Sequence, residues 1–252
     1  LLLLPPVRRL AARILPIDPD NPVHAVALAL IPLPLIMLGL ALGVGLDTLS
    51  AQLAAQSEQT GSDPFSLAAL WAQAAMFLLT ALIGVGWLSR RTGREALARL
   101  GLVRPTLRQV GIGVGAALLL VPAVMGLEAA FNLLGLTVGQ DVESLTDQLL
   151  GPLFATPFGI ISVGLAAALG EEPIFRGAAQ PRFGLLLTSA LFALTHSQYG
   201  ISLATLIVLL LGLVLGLIRQ RTNTTTALIT HAVYNSTLGA LAYLAAQVMM
   251  RG

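Results

Sequence analysis

Between Val23 and Leu46, and again between Ser66 and Leu88, the chain carries no charged side chain. At a rise of 1.5 Å per residue, ~20 such residues in a helix cross the ~30 Å hydrocarbon layer of a bilayer. Lipid offers no partner to backbone amides and carbonyls, so each stretch must pair its own peptide groups as a helix. The pattern recurs along the chain: further spans are read at 110–136, from Pro152 through the acidic pair at 171 and 172, at 183–196, at 201–218 and at 226–249. Seven spans fit best, and fusing or splitting neighbours gives a range of six to eight. The expected fold class is all-α, a polytopic transmembrane helical bundle. It forms a single membrane domain over residues 1–252, with 1–22 as a short tail.

Composition narrows the function classes. With 56% hydrophobic residues, 10% charged residues and a mean hydropathy of +0.85, the chain has no length left for a soluble domain. The absence of cysteine excludes disulfides, thiolate nucleophiles and cysteine-ligated metals. A net charge of +2, dispersed along the chain, excludes a nucleic-acid partner. All 14 basic residues are arginine. With the abundance of Ala and Leu, that bias points to a prokaryotic cell membrane.

Loop charge sets an expected orientation. Arg8, Arg9 and Arg13 lie in the tail, six arginines lie between Arg90 and Arg108, Arg176 and Arg182 flank a bend, and Arg219 and Arg221 precede the last span. The alternating loops are acidic, with Asp47, Glu58 and Asp63, then Asp141, Glu143 and Asp147. The positive-inside rule puts the N-terminus and the arginine loops in the cytoplasm. Arg251 is discordant, and a terminal arginine can snorkel to headgroups. Gly111-Ile-Gly-Val-Gly115 and Gly212-Leu-Val-Leu-Gly216 read as close helix contacts, and Thr224-Thr-Thr226 as a cap for the last helix.

Against this apolar background, Gly170-Glu-Glu-Pro-Ile-Phe-Arg176 stands out. An intramembrane charge costs roughly 3 kcal/mol on insertion scales, so three together need a physical reason. Glu172 and Arg176 share a helix face and can neutralise each other, whereas Glu171 is turned about 100° away with no such partner. Pro173 has no amide for the carbonyl of Leu169, which predicts a kink or loosened turn at the carboxylates. Two more polar islands follow, Phe192-Ala-Leu-Thr-His196 and His231-Ala-Val-Tyr-Asn235. Measured from a bend near Arg182, Glu171 and His196 lie roughly 16 and 21 Å deep; from Arg221, His231 and Asn235 lie roughly 15 and 21 Å deep. Three segments thus deliver an acid, two imidazoles and an amide to one layer. Glu128 is a lone acid in the third span, Tyr199, Tyr234 and Gln198 are plausible neighbours of the site, and His24 reads as interfacial.

Glu-Glu-x-x-x-Arg, then Phe-x-x-x-His, then His-x-x-x-Asn, in that order in a polytopic protein, resembles the CPBP family of intramembrane proteases. That group includes the type II CAAX prenyl endopeptidase and bacteriocin-processing or self-immunity proteins. The resemblance covers about residues 152–245 as a catalytic core of four helices. It implies an intramembrane endopeptidase in which Glu171 activates a water, His196 holds and polarises it, and His231 and Asn235 stabilise the oxyanion. Glu172 and Arg176 are given a supporting, orienting task. The family is often called a metalloprotease family, and Glu171, His196 and His231 have the ligand types of a zinc shell. There is no His-Glu-x-x-His in the chain, and a glutamate-activated water without a cofactor is the reading preferred. The implied partners are the lipid bilayer and a protein or peptide substrate, prenylated or a membrane-associated precursor. A non-proteolytic scaffold or immunity protein of the same fold, and a small proton-coupled transporter, are the competing readings.

Overall fold

The computed structural model describes residues 2–30, 32–48, 50–52, 55, 66–135 and 139–250. Glu58, Asp63 and Arg251, and the side chain of Asp141, lie outside the described residues. The fold is all-helical, with no strand among those residues. In chain order the helices are α1 (Pro5–Ala11), α2 (Pro22–Leu30), α3 (Pro32–Val44), α4 (Leu67–Gly84), α5 (Gly93–Leu100), α6 (Leu107–Leu133), α7 (Gln140–Phe154), α8 (Pro157–Glu172), a π-helical segment (Pro173–Ala179), α9 (Gln180–Leu194), α10 (Leu203–Arg221) and α11 (Thr224–Met249).

Five segments are long and apolar enough to cross a bilayer: Pro22–Val44, Leu67–Gly84, Leu107–Leu133, Pro157–Leu194 and Leu203–Arg221. The 157–194 segment is 61% buried, against 11–28% for the others, so it forms the centre of the bundle. Its first leg, α8, packs between α4 and α11, and α11 also packs along α6. The second leg, α9, packs against α10. The last expected span is present as α11, 26 residues long, but its Thr, His, Asn and Tyr residues lower its hydropathy.

The two legs of the central segment turn back on each other. Phe175 and Phe192 would stand ~25 Å apart on one straight helix. Their ring centroids are 5.2 Å apart. The reversal falls at Gly184, whose φ of 76° and ψ of 175° belong to a region open essentially to glycine. The expected bend near Arg182 is therefore present, and the leg after it, about ten residues long, reaches only ~15 Å into the layer. Where that leg ends, the 3₁₀ turn Ser197–Tyr199 begins at membrane depth. Non-helical backbone is tolerated there because protein and a cavity surround it, rather than lipid.

The loosened turn expected at Pro173 is a seven-residue π-helix, Pro173–Ala179. The missing proline amide frees a carbonyl in the preceding turn, and the wider i→i+5 pattern follows. Carbonyls of this segment are engaged from outside: Arg219 Nε donates to Arg176 O (3.0 Å) and Arg99 Nη1 to Gly177 O (3.4 Å). Arg99 belongs to α5, a helix inside the arginine-rich stretch expected to be loop. Its signals are local: a Thr92–Glu95 capping box and Gly101 in the left-handed conformation. The acidic stretch at 143–147, read as an external loop, is also helical and forms part of α7.

Glycines set how closely the helices approach. A Cβ on Gly164 of α8 would lie 2.6 Å from the carbonyl oxygen of Ala232 and would also strike Ser236, both on α11. Gly113, Gly212 and Gly216 are close contacts as expected, whereas Gly111 and Gly115 have nothing within 4 Å. The cap of α11 is Asn223, whose side chain accepts from the amide of Thr226. Thr224 and Thr226 lie buried in the first turn instead. The tail is not a free strand of chain, because Ile17 packs with Leu28 and Phe183.

Gly164→Ala should destabilise the bundle by about 1–3 kcal/mol, because the opposing atom is backbone that cannot move aside. Gly111→Ala, at an open helical position, should be neutral or slightly stabilising. Thermal unfolding of both variants in detergent distinguishes them. Equal midpoints would refute the close α8–α11 seam.

Candidate active site

Glu172 is fully buried, yet it faces two cationic or potentially cationic groups. Its Oε2 lies 3.2 Å from Arg176 Nε, and its Oε1 accepts from His231 Nδ1 at 2.8 Å. Arg176, 1% exposed, also donates from Nη2 to the carbonyl of Gly212 at 3.3 Å. Its guanidinium carbon lies 4.2 Å from the Phe192 ring centroid. The i,i+4 pair anticipated from sequence is thus one edge of a larger cluster joining α8, the π-helix, α10 and α11.

Phe192 is the apolar hub of that cluster. It is 1% exposed, stands edge-on to Phe175 and to His231 (6.1 Å, 80°), and lies 4.9 Å from the ring of His196. Sequence spacing marked Phe192 only as the partner of His196. Its contact with Arg176 crosses the reversal at Gly184 and has no local signal.

The two histidines present themselves in the same way. A carbonyl can only accept, so the 2.8 Å contact between His196 Nδ1 and Phe192 O puts the proton on Nδ1. The carboxylate of Glu172 likewise accepts a hydrogen bond from Nδ1–H of His231. In both rings Nε2 is the nitrogen left for other chemistry. His196 does not sit on the helix as expected. It follows the end of α9, with its ring turned back to the carbonyl and stacked on Tyr199 at 6.0 Å and 13°.

Glu171, His196, His231 and Asn235 all border one cavity of about 1100 Å³. Glu171 comes from the last turn of α8, just before the π-helix, and its Oε2 is buried with no hydrogen-bond partner among the described residues. Gln198, Tyr199 and Tyr234 line the same cavity, and so does Glu128 of α6. Sequence reasoning missed α7, which adds Glu143, Thr146 and Asp147 to the wall. An acid-bearing amphipathic helix and an exposed acidic loop have the same composition; only packing separates them. His24 lies away from the cavity, with Arg182 Nη1 donating to its Nε2 at 2.8 Å.

Among the described residues, no three His, Asp or Glu side chains gather as a metal-binding group. Glu171, His196 and His231 border one cavity without being gathered as a three-ligand group. The arrangement does place a carboxylate with a buried, unpartnered oxygen on the same cavity as two imidazoles and an amide.

Removing one partner of a buried ion pair costs about 3–5 kcal/mol, because the other charge is left uncompensated. Glu172→Ala strands Arg176 and also releases His231, so it should sharply lower the unfolding midpoint and the yield of folded protein. Glu171→Gln breaks no contact among the described residues and should unfold like the parent; a common loss in both would contradict this division of roles.

Comparison with curated proteins and with solved structures finds no match to this chain. The family model described as Rce1-like, type II CAAX prenyl endopeptidase, matches residues 152–237. That stretch contains Glu171, Glu172, Arg176, His196, His231 and Asn235. Over that stretch the chain is similar to the type II CAAX prenyl endopeptidases.

Proposed function

We propose that this chain is an intramembrane endopeptidase that hydrolyses a peptide bond with a water activated by Glu171. The observation that carries the reading is the shared cavity: Glu171, His196, His231 and Asn235, from three separate segments, border the same space. Glu171 takes a proton from the water, whose oxygen bonds to the peptide carbonyl carbon. His196, with Nδ1 committed to the Phe192 carbonyl, accepts a hydrogen bond from that water through Nε2. The developing oxyanion receives the Asn235 amide and Nε2–H of His231. His231 keeps its Nδ1–H on Glu172, and with a second proton on Nε2 it is an imidazolium whose charge offsets that of the oxyanion. The C–N bond then breaks, and the proton held by Glu171 passes to the leaving nitrogen.

Arg176 acts on this chemistry through Glu172, as a positioning residue. No step of this route calls on a metal. The reading also places the N-terminus in the cytoplasm. Arg99 and Arg219 meet on the carbonyls of the π-helix, and Thr225 bonds to Val103, so the ends that carry these arginines meet at one pole of the bundle. By the positive-inside rule that pole faces the cytoplasm. The substrate is a protein or peptide that enters from the membrane.

Reconstituted protein incubated with a farnesylated CAAX peptide and with an unprenylated single-span peptide should release new termini from at least one, read by mass spectrometry. Glu171→Gln should lower the rate by about 10²–10⁴ and Asn235→Ala by about 10²–10³, both with unchanged unfolding midpoints. Cleavage by Glu171→Gln at the parental rate would falsify the assignment of the base. Dialysis against a chelator should leave the rate unchanged; loss of activity that zinc restores would overturn the metal-free mechanism.

A further inference from the structure

A second cavity, of about 630 Å³, lies between the start of α6 and the end of α10, apart from the acid-lined one. Its walls are apolar, with Ile112 on one helix and Val214, Leu217 and Ile218 on the other. Its rim carries Arg108 and Arg221. The ion pairs formed among the described residues, Glu172–Arg176 and Glu172–His231, leave both of these guanidiniums without an acid. The rim is therefore a site of uncompensated positive charge at the head of an apolar groove.

The backbone adds to the same field. Thr106 and Gln109 close a capping box at the start of α6, each side chain accepting from the other's amide. The amides of Leu107 and Arg108, in the first turn of this 27-residue helix, have no acceptor within the helix. Unpaired amides and the positive end of the helix dipole favour an anion there. The volume lies within the roughly 300–1,000 Å³ of ordinary ligand sites. A free anion would find its charge partners at the rim but would leave the apolar walls unfilled.

We propose that this groove binds an anionic phospholipid. Its phosphate sits between Arg108 and Arg221, and one acyl chain lies along Ile112, Val214 and Leu217. Leu217 is itself 37% exposed, so the groove is open at the surface and a lipid reaches it laterally without crossing the protein. Basic pockets between membrane helices are the usual setting for such headgroups. The inference is independent of the hydrolase reading, because none of these residues borders the acid-lined cavity.

Native mass spectrometry of the purified chain in detergent, with phosphatidylglycerol or phosphatidylcholine added, tests it. The parent should retain phosphatidylglycerol at least about ten-fold better than phosphatidylcholine. The Arg108→Gln/Arg221→Gln pair should erase that preference, and Val214→Trp, which fills the groove, should lower retention. The exposed pair Arg90→Gln/Arg94→Gln, away from the groove, should change nothing. The proposal is overturned if the Arg90/Arg94 control loses as much as the Arg108/Arg221 pair, since retention would then follow overall charge. It is also overturned if inorganic phosphate displaces the lipid, since the site would then be one for a free anion.

Discussion

A carboxylate and a guanidinium held out of water at the centre of the bundle fix how four elements meet. Glu172 and Arg176 have almost no exposure, and burying each charge costs several kcal/mol before any contact is made. The cost is offset by the groups gathered around them: His231 on one carboxylate oxygen, the Arg176 guanidinium 3.2 Å from the other, the Gly212 carbonyl on the guanidinium and the Phe192 ring beneath it. Those partners lie on α11, α10 and α9. Shift any of these helices and a buried charge is left alone. The pair thus specifies register among helices whose apolar faces, in lipid, give little direction of their own.

The same arrangement relieves Glu171 of structural duty. Its neighbour takes the ion-pair partner, and the proline that follows opens the helix into a π-turn at that point. The carboxylate of Glu171 is left with a buried, unpartnered oxygen at the wall of a cavity. Two adjacent glutamates therefore have different tasks because a helix rotates them onto different faces. Small residues make this possible: Gly164 lets α8 lie against α11, and Gly212 lets α10 lie against Phe192 and Ser189 of α9.

Much of the site was legible because its residues are exceptions to the composition around them. Glu171, His196, His231 and Asn235 are polar in apolar segments, and counting residues from the arginine bends placed them at similar depth. The contribution of α7 was not legible, since Glu143 and Asp147 look the same in an external loop as on a helix facing a cavity. Nor was the bond from His231 to Glu172, which joins residues 59 apart across a helix interface. The hinge at Gly184 was approximated by the nearby Pro181 and Arg182. A single glycine among Phe183, Leu185 and Leu186 gives no cue that its φ is positive.

Local rules were enough to determine that the chain is helical, that it belongs in a membrane, that Pro173 disturbs its helix and that Glu172 faces Arg176. Each follows from hydropathy or from the geometry of a few consecutive residues. Tertiary structure alone decided that Phe192 folds back beneath Arg176, that α7 lines the cavity, and that both histidines commit Nδ1 to a protein acceptor. Those outcomes depend on which helix lies beside which, and a chain of nearly uniform apolar faces does not encode that in any short stretch.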